Sequence, residues 1–525
     1  MQTERLSIAT RQALMLMLLT AVARVVLAGV LGLGVDESYE VVLSRVPSLS
    51  YFDHPPLSFW IAGGVGRVAG SEHRVLLRLP FILIFAGTTF VMFRLTVRLY
   101  GERAGFLAAL LLNLAPVFSI SAGGWILPDG PLELAIVTTA FCLTRVLIVA
   151  EPARSGTSVA SRPWRWWLLA GAATGLGLLS KYHAVFLPLG TLLFLLTRRE
   201  ARGWLGRSEP YAATAVALLI ATPLLVWNAQ HNFASLRFQT GRATFHGLHP
   251  AALAQNLAGQ LGYLLPWIGV PLLWLLVSGL RRGPRDAKSW LLCCLALGPI
   301  AVFTLVSLGG NPGLPHWPAP GYLLLFPLLG DAIARYERRG RYEHMLTRRL
   351  LVWAAGVFVL LVMIAATDVA TGWVTRAAPS VFRRGDPSLE GMDWRDLDPE
   401  LTRRGLLGRN GPVVVATTWI DAAKIGYALG PSRPVFCLSD DPRGFLYAFP
   451  PNALVGRDAL LLLRLGGQSR PVDVVARYGQ YFRSLEPADT IAIRRAGRVE
   501  ILIAAFRAQA FRGGVIADAR ARRTF

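Results

Sequence analysis

Apolar residues run along this chain in blocks rather than in alternation. Eleven blocks lie near 12–34, 79–98, 104–122, 131–150, 166–180, 183–197, 211–227, 257–280, 290–308, 318–336 and 351–371. Each approaches the roughly 20 residues that carry an α-helix across about 30 Å of hydrocarbon. The pattern predicts an all-α polytopic membrane bundle of about 11 transmembrane helices over residues 1–371. It changes after about residue 380. There Val413-Val414-Val415, Pro434-Val435-Phe436-Cys437-Leu438 and Ile491-Ala492-Ile493 read as short buried strands between Pro, Gly and Asp turn signals. Residues 380–525 are therefore expected to form a small soluble α/β domain.

Composition supports the membrane reading: 53% of residues are hydrophobic, 16% are charged, and the mean hydropathy is +0.45. A soluble chain carries about 25% charged residues. The formal net charge of +22 invites a nucleic-acid partner, but its distribution argues against one. Basic residues cluster between spans: Arg98 with Arg103, Arg154 with Arg162 and Arg165, Arg198 with Arg199 and Arg202, Arg281 to Lys288, and Arg335 to Arg349. All fall on one side of the alternating spans, which the positive-inside rule makes cytoplasmic. The opposite face receives the segment 35–78, the turn at Asp129, the turn at Ser180–Tyr182, the loops 228–256 and 309–317, and the tail. The first block lacks a small-residue cleavage motif and is expected to stay as a helix. Cys142, Cys293, Cys294 and Cys437 offer no disulfide or metal spacing.

The acids carry the chemical information. Asp36 and Glu37 follow the end of the first span, Asp53 and His54 sit in Tyr51-Phe52-Asp53-His54-Pro55-Pro56-Leu57, and Asp129 sits in Leu127-Pro128-Asp129-Gly130-Pro131-Leu132. All lie on the non-cytoplasmic face at interface depth, where a carboxylate is costly unless solvated or paired. Helix-end solvation for Asp36 and a turn role for Asp129 are the alternatives.

These segments resemble the bacterial branch of the dolichyl-phosphate-mannose protein mannosyltransferase superfamily, which includes lipid A aminoarabinose and galacturonosyl transferases. The similarity runs in order through Asp36-Glu37-Ser38-Tyr39, the Tyr51–Leu57 motif, Leu127-Pro128-Asp129, Leu179-Ser180-Lys181-Tyr182, Phe233 to Gln239 with Arg242, and His316-Trp317-Pro318-Ala319-Pro320. It implies the GT-C fold, with an active site in loops facing the periplasm of a bacterial inner membrane. It also implies a polyprenyl-phosphate sugar donor and a glycolipid, glycan or protein acceptor. No dinucleotide or Walker fingerprint competes; Gly175 and Gly177 lie inside a span, where close helix packing explains them.

Transfer from a lipid phosphate to a hydroxyl needs a base, cations on the leaving phosphate, and in-line positioning. The resemblance makes Asp36 the base, Glu37 its orienting neighbour and Asp129 a second acid, with inversion at the anomeric carbon. Lys181, Arg78, Arg237 and Arg242 are candidates for the phosphate, with Asp53, His54, Tyr182 and His316 as further substrate-binding candidates. Snorkelling from a helix end is the alternative for Lys181, and headgroup contact for Arg237 and Arg242. His54 departs from the Lys usual at this place in aminoarabinose transferases. His231, His246 and His249 share one loop with which Zn or Mg binding is compatible, so a divalent metal stays open. A transporter or flippase of lipid-linked sugars is the main rival, although no internal repeat is visible. An O-antigen ligase or polymerase, and a catalytically dead relative, are weaker rivals.

Overall fold

The computed structural model describes residues 6–148, 163–241, 247–310, 313–382, 385–408, 411–465 and 471–513. The chain divides into two compact units. The first comprises Met1–Val26, Leu49–Ser58 and Arg78–Leu360; the second comprises Leu27–Ser48, Phe59–Leu77 and Leu361–Phe525. The second unit thus takes up most of the segment 35–78, which the sequence had grouped with the membrane bundle.

The first unit is helical. Among the described residues, five helices are long and apolar enough to cross a membrane: Ile8–Val30, Arg74–Tyr100, Asp129–Leu147, Ala287–Leu308 and Arg341–Thr371. The number rises to seven if two bent pairs each cross once. These are Ser208–Ile220 with Thr222–Gln230, bent by 53°, and Pro250–Leu264 with Pro266–Arg285, bent by 115°. All eleven predicted blocks fall on helix, but several are broken, so the expected set of single spans is corrected. The block 104–122 splits into Glu102–Asn113 and a π-helical turn Val117–Ala122, and the block 183–197 opens with the 3₁₀ turn Tyr182–Val185. Proline accounts for several breaks, since it lacks the N–H that would continue the ladder: Pro223 and Pro266 each stand at the first turn after a bend.

Lipid tails are as apolar as leucine, so helices in a bilayer associate through close packing more than through water exclusion. Glycine supplies that contact here. A Cβ at Gly190 would lie 2.6 Å from the Cys294 carbonyl, and one at Gly175 would lie 2.9 Å from the Ala217 carbonyl. Gly177 likewise faces Ala184 and Ala135, as its place in a span suggested.

The second unit contains a five-stranded sheet in the order β2-β1-β3-β5-β4. Its strands are β1 (Val413–Ala416), β2 (Val435–Cys437), β3 (Ala459–Arg464), β4 (Phe482–Arg495) and β5 (Arg498–Phe511). β1 is parallel to β2 and β3, with Val415 opposite Phe436 and Leu461. The helix Trp419–Leu429 connects β1 to β2 and begins at Thr418, whose hydroxyl accepts the Asp421 N–H at 3.1 Å. β5 pairs antiparallel with β3 and β4. Ala496 and Gly497, at φ 48° and 79°, make the tight turn between β4 and β5. The expected strands at 413–415, 434–438 and 491–493 are present, and β3 and β5 are additional. The same unit holds a buried ion cluster: Arg495 donates to Asp386 at 2.7 Å and to Ser388 at 2.7 Å, and lies 3.1 Å from Glu500.

Two predictions follow from this packing. Gly190→Val should destabilise the purified protein by about 1–3 kcal/mol, the usual cost of overpacking. Thermal unfolding in detergent measures this, with Gly356→Ala, where a Cβ meets nothing within 4 Å, as the control. The second concerns pH. Burial opposes ionisation of Asp386, but hydrogen bonds from Ser388 and Arg495 outweigh it and hold the carboxyl below its ordinary range. A lowered folded-state pKa gives stability that is present above the ordinary carboxyl pKa and lost as pH falls through the lowered value. Asp386→Asn should therefore flatten the acid limb of the unfolding midpoint against pH.

Candidate active site

In the first unit, the helix Pro163–Ser180 stops at Lys181, whose backbone is extended at φ −154° and ψ 142°. The chain then resumes through Tyr182–Val185 into Phe186–Thr197. At the break, backbone bonds from the Lys181 N–H to the Gly177 carbonyl and from the Ala184 N–H to the Lys181 carbonyl carry the chain round. Ser180 donates its hydroxyl to the Pro128 carbonyl at 2.5 Å, tying this break to the start of the helix Asp129–Leu147.

Lys181 Nζ lies 2.9 Å and 3.1 Å from the two carboxylate oxygens of Asp129. Their side chains are 9% and 18% exposed, so Lys181 is buried and paired rather than snorkelling to solvent. Asp129 stands in the first turn of its helix, where the dipole favours an anion. A cation and an anion so placed can exchange partners: an incoming phosphate can take the ammonium from the carboxylate.

Around the pair the electrostatic neighbours are histidines and a second acid. Asp129 feels the charges of Lys181, His316 and His183, and His183 in turn those of His316 and His54. His183 stacks on Phe303 at 4.4 Å, and Phe303 meets Trp317 at 5.7 Å. Glu133, one turn beyond Asp129, is buried, and its Oε2 has no hydrogen-bond partner among the described residues. Arg24 acts on it electrostatically and donates to Asn113 at 3.1 Å and to the Ser119 carbonyl at 3.0 Å. The sequence reading did not single out His183, Glu133 or Arg24. The signal existed for two of them: Arg24 and Glu133 are charges inside predicted spans, Glu133 also four residues from Asp129.

Tyr182 extends the site toward the loop after residue 228. Its hydroxyl donates to Ser235 at 2.8 Å and accepts from Asn228 at 3.2 Å. The short helix Ala234–Thr240 follows, and its Gln239 donates to the Asp53 carbonyl at 2.5 Å, while Phe238 packs on Phe52 at 4.8 Å. Three sequence motifs are thereby joined. Asp53 and Arg78 are buried, His54 and His316 are half-buried, and Arg237 is exposed. Arg242 and His246 lie outside the described residues. His231 stacks on Trp227 at 4.1 Å, and the backbone N–H of His249 donates to the Leu308 carbonyl at 2.8 Å. Among the described residues no three His, Cys, Asp or Glu side chains gather to hold a metal ion.

Asp36 and Glu37 belong to the second unit. Both are in the first turn of the helix Val35–Ser44; Asp36 is exposed, whereas Glu37 is buried and accepts the Gly34 N–H at 2.8 Å. Glu37 thus caps the helix that presents Asp36.

A family model described as dolichyl-phosphate-mannose-protein mannosyltransferase matches residues 53–227, the stretch that holds Asp53, His54, Arg78, Asp129, Lys181 and Tyr182. The chain is 26% identical over 274 residues to the lipid A galacturonosyltransferase RgtD of Rhizobium johnstonii, covering 52% of this chain and 54% of that one. It is 24% identical over 275 residues to the undecaprenyl phosphate-alpha-4-amino-4-deoxy-L-arabinose arabinosyl transferase of Erwinia tasmaniensis, covering 50% and 47%. The chain thus spans about half the length of the curated relatives it matches. Among solved structures, apo ArnT from Cupriavidus metallidurans superposes with a TM-score of 0.61 at 17% identity, covering 95% of this chain and 98% of that one. The same protein bound to undecaprenyl phosphate gives 0.58 at 17% identity, covering 94% and 97%. These likenesses bear out the expected fold, and the chain is a multi-pass membrane protein.

The Lys181–Asp129 pair makes a stability prediction. Lys181→Met leaves a buried carboxylate unpaired and should cost about 3–5 kcal/mol. Adding Asp129→Asn removes that charge and should return most of the loss, as read by thermal unfolding of the single and double variants.

Proposed function

We propose that this protein is an integral-membrane glycosyltransferase that moves a sugar from a polyprenyl-phosphate carrier to a hydroxyl of an envelope glycolipid or glycan. The reaction is assigned to the periplasmic face of a bacterial inner membrane. The observation that carries the reading is the buried Lys181–Asp129 pair at a helix break, within a fold shared with a protein solved in complex with undecaprenyl phosphate. The names of the curated relatives, which act on lipid A or on an undecaprenyl-linked aminoarabinose, favour a glycolipid acceptor.

In this reading the acceptor O–H gives its proton to a carboxylate, for which the resemblance of its loop nominates Asp36. The acceptor oxygen bonds to the anomeric carbon as the bond from that carbon to the phosphate oxygen breaks. The electron pair leaves on the carrier phosphate, whose growing charge Lys181 meets, with Arg78 and Arg237 as further candidates. Attack opposite the leaving group inverts the anomeric centre. Glu37 serves through its cap on Gly34, and Asp129 holds Lys181 until phosphate arrives.

The test is label transfer from radiolabelled polyprenyl-phosphate sugars to a membrane-lipid extract by the protein in nanodiscs. Wild type should form a new labelled glycolipid, Asp36→Asn should lose at least 10²-fold in rate as expected for a missing general base, and Lys181→Met should lower kcat and kcat/KM together, as loss of a contact to charge that grows in the transition state does. Transfer undiminished in Asp36→Asn would remove that residue as the base. No transfer with any donor, together with carrier movement in vesicles, would favour the flippase reading instead. Repeating the assay with a chelator tests the Zn or Mg expectation.

A further inference from the structure

Asp36 lies on a helix of ten residues, a length that is marginal on its own in water. Its orientation must come from what it packs against. Within the second unit that partner is the helix Trp419–Leu429 of the C-terminal domain and the segment preceding that domain. Val42 packs against Gly426, where a Cβ would come within 3.0 Å of it. The Gly444 N–H donates to the Tyr39 hydroxyl at 2.9 Å, and Arg45 donates to the Gly426 carbonyl at 2.9 Å while pairing with Glu72 at 2.7 Å.

The tightest link is at the start of the acidic helix. Lys424 is 4% exposed, and its Nζ donates to the carbonyls of Leu33 at 2.7 Å, Met392 at 2.7 Å and Glu390 at 3.2 Å. The ammonium also lies 5.9 Å from the centre of the Trp394 ring. Leu33 is three residues before Asp36, and the adjoining Gly32 takes the 391–393 backbone so closely that a Cβ would lie 2.7 Å from the Gly391 carbonyl. A buried ammonium is costly, and an apolar side chain of similar length would fill this space without that cost. What an apolar residue cannot do is draw three carbonyls from two separate segments onto one point. Partial burial and the charge of Asp36 push the Glu390 carboxyl above its ordinary range, against the pull of Lys424. Asp36 therefore lies within electrostatic reach of the segment that Lys424 gathers.

We infer that Lys424 is a positioning residue for the transfer reaction, its carbonyl contacts fixing the Leu33–Gly34 turn and through it the direction of the Asp36 carboxylate. The C-terminal domain is then part of the catalytic frame. The inference rests on the proposed transferase reading and adds to it a role for a domain that supplies no reacting group of its own.

The experiment uses the full chain in nanodiscs and four variants: Lys424→Met, Lys424→Arg, Asp36→Asn and the double Asp36→Asn/Lys424→Met. Transfer kinetics with radiolabelled polyprenyl-phosphate sugar are paired with hydrogen exchange by mass spectrometry on substrate-free protein. Lys424→Met should lower kcat by roughly 10- to 100-fold, as misplacement of a reacting group by about 1 Å does, with the donor KM within about twofold. Its amides at 33–38 should exchange faster while those of the sheet keep their protection. Lys424→Arg, which can still donate, should recover part of the rate. In the Asp36→Asn background the Lys424 change should add nothing further, because it acts through Asp36. Unchanged exchange at 33–38, exchange raised across the whole domain, or a fully additive double variant would each overturn the assignment. Absence of transfer by wild type overturns the transferase reading and the catalytic role with it; the exchange result then decides separately whether Lys424 clamps the turn.

Discussion

An ion at the edge of hydrocarbon is stable only if a partner of opposite sign or a set of dipoles reaches it, and Lys181 with Asp129 meets that requirement in the first unit. The pair forces the local backbone. To bring the ammonium onto the carboxylate, the helix Pro163–Ser180 ends at an extended residue instead of continuing. A helix that ends inside a membrane protein exposes carbonyls and N–H groups that lipid cannot satisfy. Near the break, polar side chains reach backbone carbonyls of other segments: Ser180 that of Pro128, Gln239 that of Asp53, and Asn228 that of Leu224 in its own helix. At the break the Lys181–Asp129 pair and the Ser180 bond belong to one polar network. The motifs that stand far apart in sequence, at 51–57, 127–132, 179–182 and 233–239, are joined within it.

What keeps such a break from loosening the bundle is packing elsewhere. The helices that flank it are pressed together through glycine, with backbone of one helix against backbone of the next at Gly171 on Ala213, Gly175 on Ala217 and Gly190 on Cys294. At these positions any side chain would separate two helices, so the order of the bundle depends on the smallest residue as much as on the largest.

The membrane class and the ordered motifs were legible because each depends on local composition or on short spacing. The breaks were legible only in part. Hydropathy averages over a window and does not register that Leu265 has φ 68° or that Lys181 is extended. β3 and β5 escaped notice for a related reason. Ala459–Arg464 is rich in Leu, and Arg498–Phe511 interrupts its Val, Ile and Phe with four Ala, so their pairing with β1 and with each other decides their state. In the site, Asp129 and Lys181 were found through motif spacing, but their mutual contact was not, since 52 residues separate them. His183 was missed because a histidine beside Lys-Tyr carries no pattern; its stack on Phe303 and an Nε2 without a hydrogen-bond partner among the described residues set it apart.

The division into two units changes how the first long loop has to be understood. In sequence, 35–78 is one connection between two spans; in the structure Leu27–Ser48 and Phe59–Leu77 belong with the C-terminal domain, and only Leu49–Ser58 belongs with the helices. The loop's two halves are themselves joined by Arg45 to Glu72, and Glu72 is held in turn through its carbonyl by Tyr427. Arg74 repeats the arrangement, pairing with Asp393 at 2.8 Å and donating to the Gly29 carbonyl. Two of these links, Tyr427 to Glu72 and Arg74 to Asp393, run between the loop and residues beyond 390, so the segment that carries the acidic helix is held by residues far along the chain. A domain boundary drawn at residue 380 from hydropathy is therefore a boundary between solvents and not between folding units. Asp36 thus sits on a helix whose neighbours Lys424, Gly426 and Gly444 stand far along the chain from it.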